Sequence, residues 1–74
     1  MLRKRSLSLA GHTTSLALEP AFWAVLTEMA AERGASLTRV IAEIDAGRGA
    51  EPLASACRVA ALGWAGGATS RRHR

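Results

Sequence analysis

The chain has 74 residues, with ten Lys and Arg against six Asp and Glu and a net charge of +4, which allows one small domain and excludes a large enclosed core. Its single cysteine, Cys57, excludes an intrachain disulfide and a thiolate metal cluster, and its two histidines, His12 and His73, stand at opposite ends of the chain. No metal and no other cofactor is therefore expected, and so short a chain completes its core most simply with another copy of itself, as a homodimer or a higher oligomer.

No stretch approaches the roughly 18 to 20 apolar residues of a membrane span, so no membrane partner is expected. The segment after Arg5 is too polar for the apolar region of a signal peptide, and one cysteine fits a cytoplasmic protein. Charge is unevenly placed. Residues 6–70 carry four arginines (Arg33, Arg39, Arg48, Arg58) against six acids, so the excess comes from Arg3, Lys4 and Arg5 at the front and Arg71, Arg72 and Arg74 at the back. Basic ends on a near-neutral body suggest phosphate contacts made by the termini.

In chain order, Leu7 and Leu9 alternate with Ser6 and Ser8, and Thr14, Leu16 and Leu18 alternate with Ser15 and Ala17. This period of two reads as strand. Each stretch offers too few apolar side chains to stand alone. Either Gly11 turns the chain into a local hairpin, or one or both segments pair with a second chain.

At Glu19-Pro20 the period changes to that of a helix, with Pro20 in the first turn and Phe22, Val25, Leu26, Met29 and Arg33 on one face, widened by Trp23 and Ala30. Gly34 supplies the stop. Ser36 caps a second helix with the stripe Leu37, Val40, Ile41 and Ile44, and Gly47-Arg48-Gly49 ends it. A third, alanine-rich run follows Pro52. Periodicity lapses from Gly63, so the domain is expected over residues 1–64 and a disordered basic tail over 65–74.

Strand, helix, three-residue turn, helix is the order of a protein whose antiparallel ribbon, one strand from each chain, enters the DNA major groove. Thr14, Leu16 and Leu18 then point inward, and Thr13, Ser15 and Ala17 face the bases. These three are small, so the basic leader Arg3-Lys4-Arg5 is expected to supply much of the affinity through phosphates or a minor groove. The unpaired N–H groups and dipole at the start of the second helix make Ser36, Leu37 and Thr38 a clamp for a phosphate, with Arg39 assisting. The shared dimer core is expected from Leu16, Leu18, Phe22, Leu26, Leu37, Val40, Ile41 and Ile44.

No catalytic residues are assigned. Glu28 and Glu32, or Glu43 and Asp45, read as solvated helix charges, and Cys57 has no histidine near it and reads as packed core. Trp23 and Trp64 suit packing better than stacking on nucleic acid. The chain is thus read as a non-enzyme, mainly α with a short N-terminal β element.

The run Arg3-Lys4-Arg5-Ser6, Ala10-Gly11-His12, Thr14 to Glu19 and Phe22-Trp23 is similar to a family of short ribbon-helix-helix domain proteins found mainly in proteobacteria. The resemblance continues through Ala31-Glu32-Arg33-Gly34, Ser36-Leu37, Ile41 to Asp45, Arg48-Gly49, Leu53, Ser55-Ala56, Arg58-Val59 and Leu62. It implies the MetJ/Arc-type dimer, with an added C-terminal helix, and sequence-specific binding of double-stranded DNA by a transcriptional repressor. Carried over, the groove-facing positions fall on Thr13, Ser15 and Ala17 and the phosphate clamp on Ser36, Leu37 and Thr38. The chain departs from the family pattern at Glu51-Pro52, where a polar cap is common, and at Ala60 and Ala61, where larger apolar residues are. The alternative reading is a protein-interaction or antitoxin-like module on the same dimer core, with Trp23, Trp64 or the third helix as its contact surface.

Overall fold

A computed structural model of the chain describes the backbone of residues 1–72 and the side chains of residues 1–67. In chain order it contains β1 (Arg3–Leu9), β2 (His12–Leu18), α1 (Pro20–Arg33), α2 (Leu37–Gly47) and α3 (Leu53–Arg72).

β1 and β2 pair antiparallel in one register, from Arg3 opposite Leu18 to Leu9 opposite His12. The connection is Ala10-Gly11, with φ of 50° and 81°. Positive φ at both central residues is the signature of a type I′ turn, whose twist matches that of the flanking strands. Of the two pairings the sequence allowed, the chain forms the local hairpin. A two-residue loop brings these strands together at small entropic cost. The opposite edge of β2 carries no further strand in this two-stranded sheet.

Pairing pools what each strand lacks. Leu7 and Leu9 from β1 and Leu16 and Leu18 from β2 are all buried on one face and join a single core with α1, α2 and α3. α1 begins with Pro20, while the amides of Phe22 and Trp23 donate to the Glu19 carbonyl at 3.0 and 3.2 Å. It ends at Gly34, which holds φ of 63° while the amides of Gly34 and Ala35 close back onto the carbonyls of Ala31 and Ala30. These two reversed bonds form a Schellman motif. The apolar stripe of α1 is rotated from the one expected: Trp23, Leu26, Met29 and Ala30 are buried, whereas Phe22 and Val25 are half-buried at its edge. The cause is β1, which lies against the indole and covers it.

In α2, Val40 and Ile41 are buried and Leu37 and Ile44 half-buried. α3 contributes Cys57 and Ala61 to the core, flanked by Leu53, Ala54 and Trp64, and it touches α1, α2 and β2. Its small side chains permit that close approach. Of the residues expected to build a dimer core, Leu16, Leu18, Leu26, Val40 and Ile41 are already buried inside one chain, while Phe22, Leu37 and Ile44 remain half-buried. The four-leucine hairpin face is what allows a single chain to bury them.

The helix α3 runs on past residue 64, beyond the lapse in periodicity. The side chains of residues 68–72 and all of residues 73–74 lie outside the described residues, and with them the arginines of the expected basic tail.

Ala10 sits where an L side chain costs about 1 kcal/mol and where Asn is favoured. Ala10→Asn is expected to raise stability by roughly that amount, which for a domain of this size is about 4 to 8 °C in the thermal midpoint. An unchanged or lower midpoint in a thermal melt would contradict the type I′ assignment.

Candidate nucleic-acid interface

Directly opposed residues in an antiparallel pair share a face of the sheet. The register therefore gathers Lys4 with Ala17, Ser6 with Ser15 and Ser8 with Thr13 on the face away from the core. All are exposed except Ala17, which is half-buried. The hairpin thus brings together the three residues expected to face DNA, Thr13, Ser15 and Ala17, with Lys4 of the basic leader, and adds Ser6 and Ser8, which sequence reasoning missed. The signal for those was present, since Lys4, Ser6 and Ser8 alternate with Arg5, Leu7 and Leu9, but it becomes legible only once β1 is known to pair with β2.

The basic leader is part of β1 rather than a separate arm, and strand alternation divides it. Lys4 faces outward, whereas Arg3 and Arg5 stand opposite Leu18 and Leu16 on the other face. There the Trp23 indole N–H donates to the Arg3 carbonyl at 2.9 Å, and the Arg5 guanidinium lies 4.8 Å from the Trp23 ring centroid. Arg3 and Arg5, with Pro20, Trp23, Ala24 and Thr27, line an open cleft of about 430 Å³ between the hairpin and α1. Trp23 is 4% exposed, so it anchors the hairpin and is not available as a contact surface for a protein partner.

Charge is sorted across the fold. Each of the four body arginines is paired: Arg33 and Arg39 with Glu43, Arg48 with Asp45 at 2.6 Å, and Arg58 with Glu19 at 2.9 Å. Arg58 also lies 5.8 Å from the Phe22 ring centroid. Arg3, Lys4 and Arg5 have no carboxylate partner among the described residues, and the sequence contains no acid before Glu19. The hairpin is therefore a patch of positive charge without acidic partners on a body whose own arginines are paired.

At the start of α2 the Ser36 hydroxyl accepts from the Arg39 amide at 3.1 Å, and the Ser36 carbonyl accepts from the Val40 amide. The hydroxyl is committed to the cap, which leaves the amides of Leu37 and Thr38 as the anion-binding groups of the expected clamp. Arg39 is largely exposed and leans toward Glu43 at 3.7 Å, a geometry that a phosphate could compete for.

Cys57 is fully buried, and burial raises the pKa of its thiol, which disfavours the nucleophilic thiolate. Among the described residues no group of three His, Cys, Asp or Glu side chains is placed to hold a metal ion, and no helix is long and apolar enough to cross a membrane.

A two-stranded ribbon leading directly into two helices joined by a three-residue turn is the arrangement of the ribbon-helix-helix domain, and the model of that domain family matches residues 2–65. The chain belongs to that family. Ribbon-helix-helix domains are DNA-binding, regulator-type modules that act as dimers and are typically non-enzymatic. No curated protein and no solved structure matches the chain.

The ion pairs make stability depend on pH. The Arg58 hydrogen bond lowers the pKa of Glu19, and the Arg33 hydrogen bond lowers that of Glu43. A carboxylate depressed in the folded state contributes stability above its unfolded pKa, and that contribution is lost as pH falls through the folded value. Both pairs are solvent-exposed and screened, so the effect is small. Arg58→Gln is expected to lower the unfolding midpoint slightly at neutral pH, with the deficit shrinking as pH falls through the carboxylate range. A deficit that is independent of pH would remove the pair from the account.

Proposed function

We propose that the protein is a sequence-specific transcriptional repressor of the bacterial cytoplasm, acting as a homodimer that places the outward face of its ribbon in the major groove of double-stranded DNA. The carrying observation is the hairpin itself: an exposed face of hydroxyls and Lys4, with Arg3 and Arg5 on the opposite face at the same end, none of the three cations paired with an acid. A major groove about 12 Å wide admits a two-stranded ribbon, and in this reading each protomer supplies one strand, paired along the outer edge of β2. In this reading Thr13, Ser15 and Ala17 face base edges, and the amides of Leu37 and Thr38, with Ser36 and Arg39 beside them, hold a phosphate and fix the register. Residues 1–64 form the DNA-binding unit, and the tail over 65–74 adds its arginines to the phosphate contacts.

The dimer is proposed on the half-buried Phe22, Leu37 and Ile44 of the expected shared core, together with the apolar surface that α3 leaves open. Val59 and Leu62 on α3 are each 65% exposed, and Ile44, Ala56, Val59 and Ala60 line a cleft of about 510 Å³ between α2 and α3. A monomer rarely leaves large side chains clustered in water without a partner. Sedimentation equilibrium at micromolar concentration should return twice the chain mass, and a stable monomer would sink the dimer.

Binding of a labelled duplex should fall steeply as salt rises, because phosphate neutralisation releases counterions. Arg3→Gln with Arg5→Gln should reduce the slope of log affinity against log salt by about 1 per cation removed. Thr13→Ala and Ser15→Ala should instead alter the preference among sequences. If a folded dimer shows no duplex binding at low salt, the reading fails and a protein-interaction module takes its place.

A further inference from the structure

We infer that β1 is a removable cover of the ribbon: β1 must leave β2 before the dimer can enter the major groove, so hairpin closure and DNA binding compete. This rests on the shared-ribbon reading above and adds a regulated step to it.

Width is the main constraint. β1 pairs with one edge of β2 along all seven of its residues, and the other edge of β2 carries no strand. A free edge presents unpaired N–H and C=O groups to a second chain, so a ribbon with one strand from each protomer forms there. With both hairpins closed, the dimer sheet then has the order β1-β2-β2-β1. Neighbouring strands lie about 4.8 Å apart, so two strands span about 5 Å between backbones and four span about 14 Å. The major groove is about 12 Å wide. The central pair fits, the closed sheet does not, and the strands that meet the groove walls are the two copies of β1.

β1 is also held lightly for a strand of its length. Leu7 and Leu9 are buried, whereas Arg3, Lys4, Arg5, Ser6 and Ser8 are exposed. Its front end is tied to α1 by the hydrogen bond from the Trp23 indole to the Arg3 carbonyl and by Arg5 over the same ring. The turn closes through Ala10 at φ of 50°, a region that L side chains disfavour. Exposure of two leucines keeps the closed hairpin the resting state, while strain at Ala10 weakens it.

Release supplies what offsets that exposure. In the closed hairpin, alternation divides Arg3 and Arg5 from Lys4 between two faces, and no carboxylate among the described residues holds any of them. On a freed segment all three can turn to the phosphates that border the ribbon. A ligand shifts a conformational equilibrium only by preferring one state, and duplex DNA prefers the open one because the closed sheet is too wide for it.

Locking the cover tests this. Ser6 and Ser15 stand directly opposite each other. Counted from the turn they form a non-hydrogen-bonded pair, with Cα atoms about 4.5 Å apart, which a disulfide can bridge. The full-length homodimer carrying Ser6→Cys and Ser15→Cys is compared with itself, oxidised against reduced, because Ser15 belongs to the outward face; the buried Cys57 stays out of the exchange. Circular dichroism and sedimentation first establish that both forms are folded dimers. At low salt the oxidised form should lose duplex binding and regain it on reduction. Ala10→Asn, which keeps every outward side chain and favours the closed turn, should weaken binding by about 5-fold per protomer. In the wild type, hydrogen exchange at the amides of Arg5, Leu7 and Leu9 should speed up when duplex is added. Equal binding by oxidised and reduced forms, a stabilised Ala10→Asn protein that binds as tightly as wild type, or slower exchange at those amides would each overturn the inference and leave the DNA-binding reading standing. If the wild type and the reduced variant are folded dimers that bind no duplex at low salt, that reading falls and the inference falls with it.

Discussion

The turn at Ala10 and Gly11 decides which way every side chain of the hairpin faces. Two consecutive residues at positive φ close a two-residue loop, and that loop permits one register, Leu9 opposite His12 through Arg3 opposite Leu18. Side chains in a strand have a period of two, so a slip by one residue would carry the four leucines into water and the serines, threonines and Lys4 into the core. Burying Leu7, Leu9, Leu16 and Leu18 therefore enforces the register from below while the turn enforces it from the end. The polar face is a consequence of both. Nothing about the serine and threonine residues themselves selects that arrangement.

The same register ties the hairpin to the helices. Trp23 is useful here because it is amphipathic: its ring fills the space under the start of β1 and its N–H satisfies the Arg3 carbonyl. The strand end that carries the three cations is thus held against α1. The body meanwhile neutralises its own arginines with Glu19, Glu43 and Asp45. A net charge that looks modest over the whole chain becomes a local field at one edge of the fold, which is the quantity an approaching polyanion senses.

Local features of the fold could be read from the sequence, and features that depend on distant partners could not. Pro20, Gly34 and Ser36 mark helix ends because each acts on its own backbone within one turn, and the structure places the ends there. Val40 and Ile41 were legible as core because the whole stripe of α2 is apolar. The stripe of α1 was misjudged by one position, since an aromatic residue with a polar end fits either face until its neighbour is known. The strands were visible as strands. A local hairpin was one of two pairings left open, because Ala10 is an unfavourable residue for a type I′ turn and gave no reason to prefer it, whereas Asn-Gly would have announced it. The division of Arg3, Lys4 and Arg5 was hidden because the alternation was legible only from Ser6 onward, and their place in the strand shows once β1 pairs with β2.

Where the two-fold axis falls relative to the hairpin decides what symmetry does for recognition. When a ribbon is shared between two chains, the two-fold axis passes through it, and one groove segment is read by both protomers at once. A groove that admits two strands is then filled by one dimer. A second ribbon must meet another segment, at a distance that strand pairing does not set. Pairs of dimers joined through the exposed Val59 and Leu62 of α3 would set that distance, so the third helix acquires a direct bearing on the spacing of adjacent sites. Ribbons of mostly single hydroxyls gain from this arrangement, because two separately seated ribbons span more base pairs than one shared ribbon, and recognised length compensates for weak readout at each position.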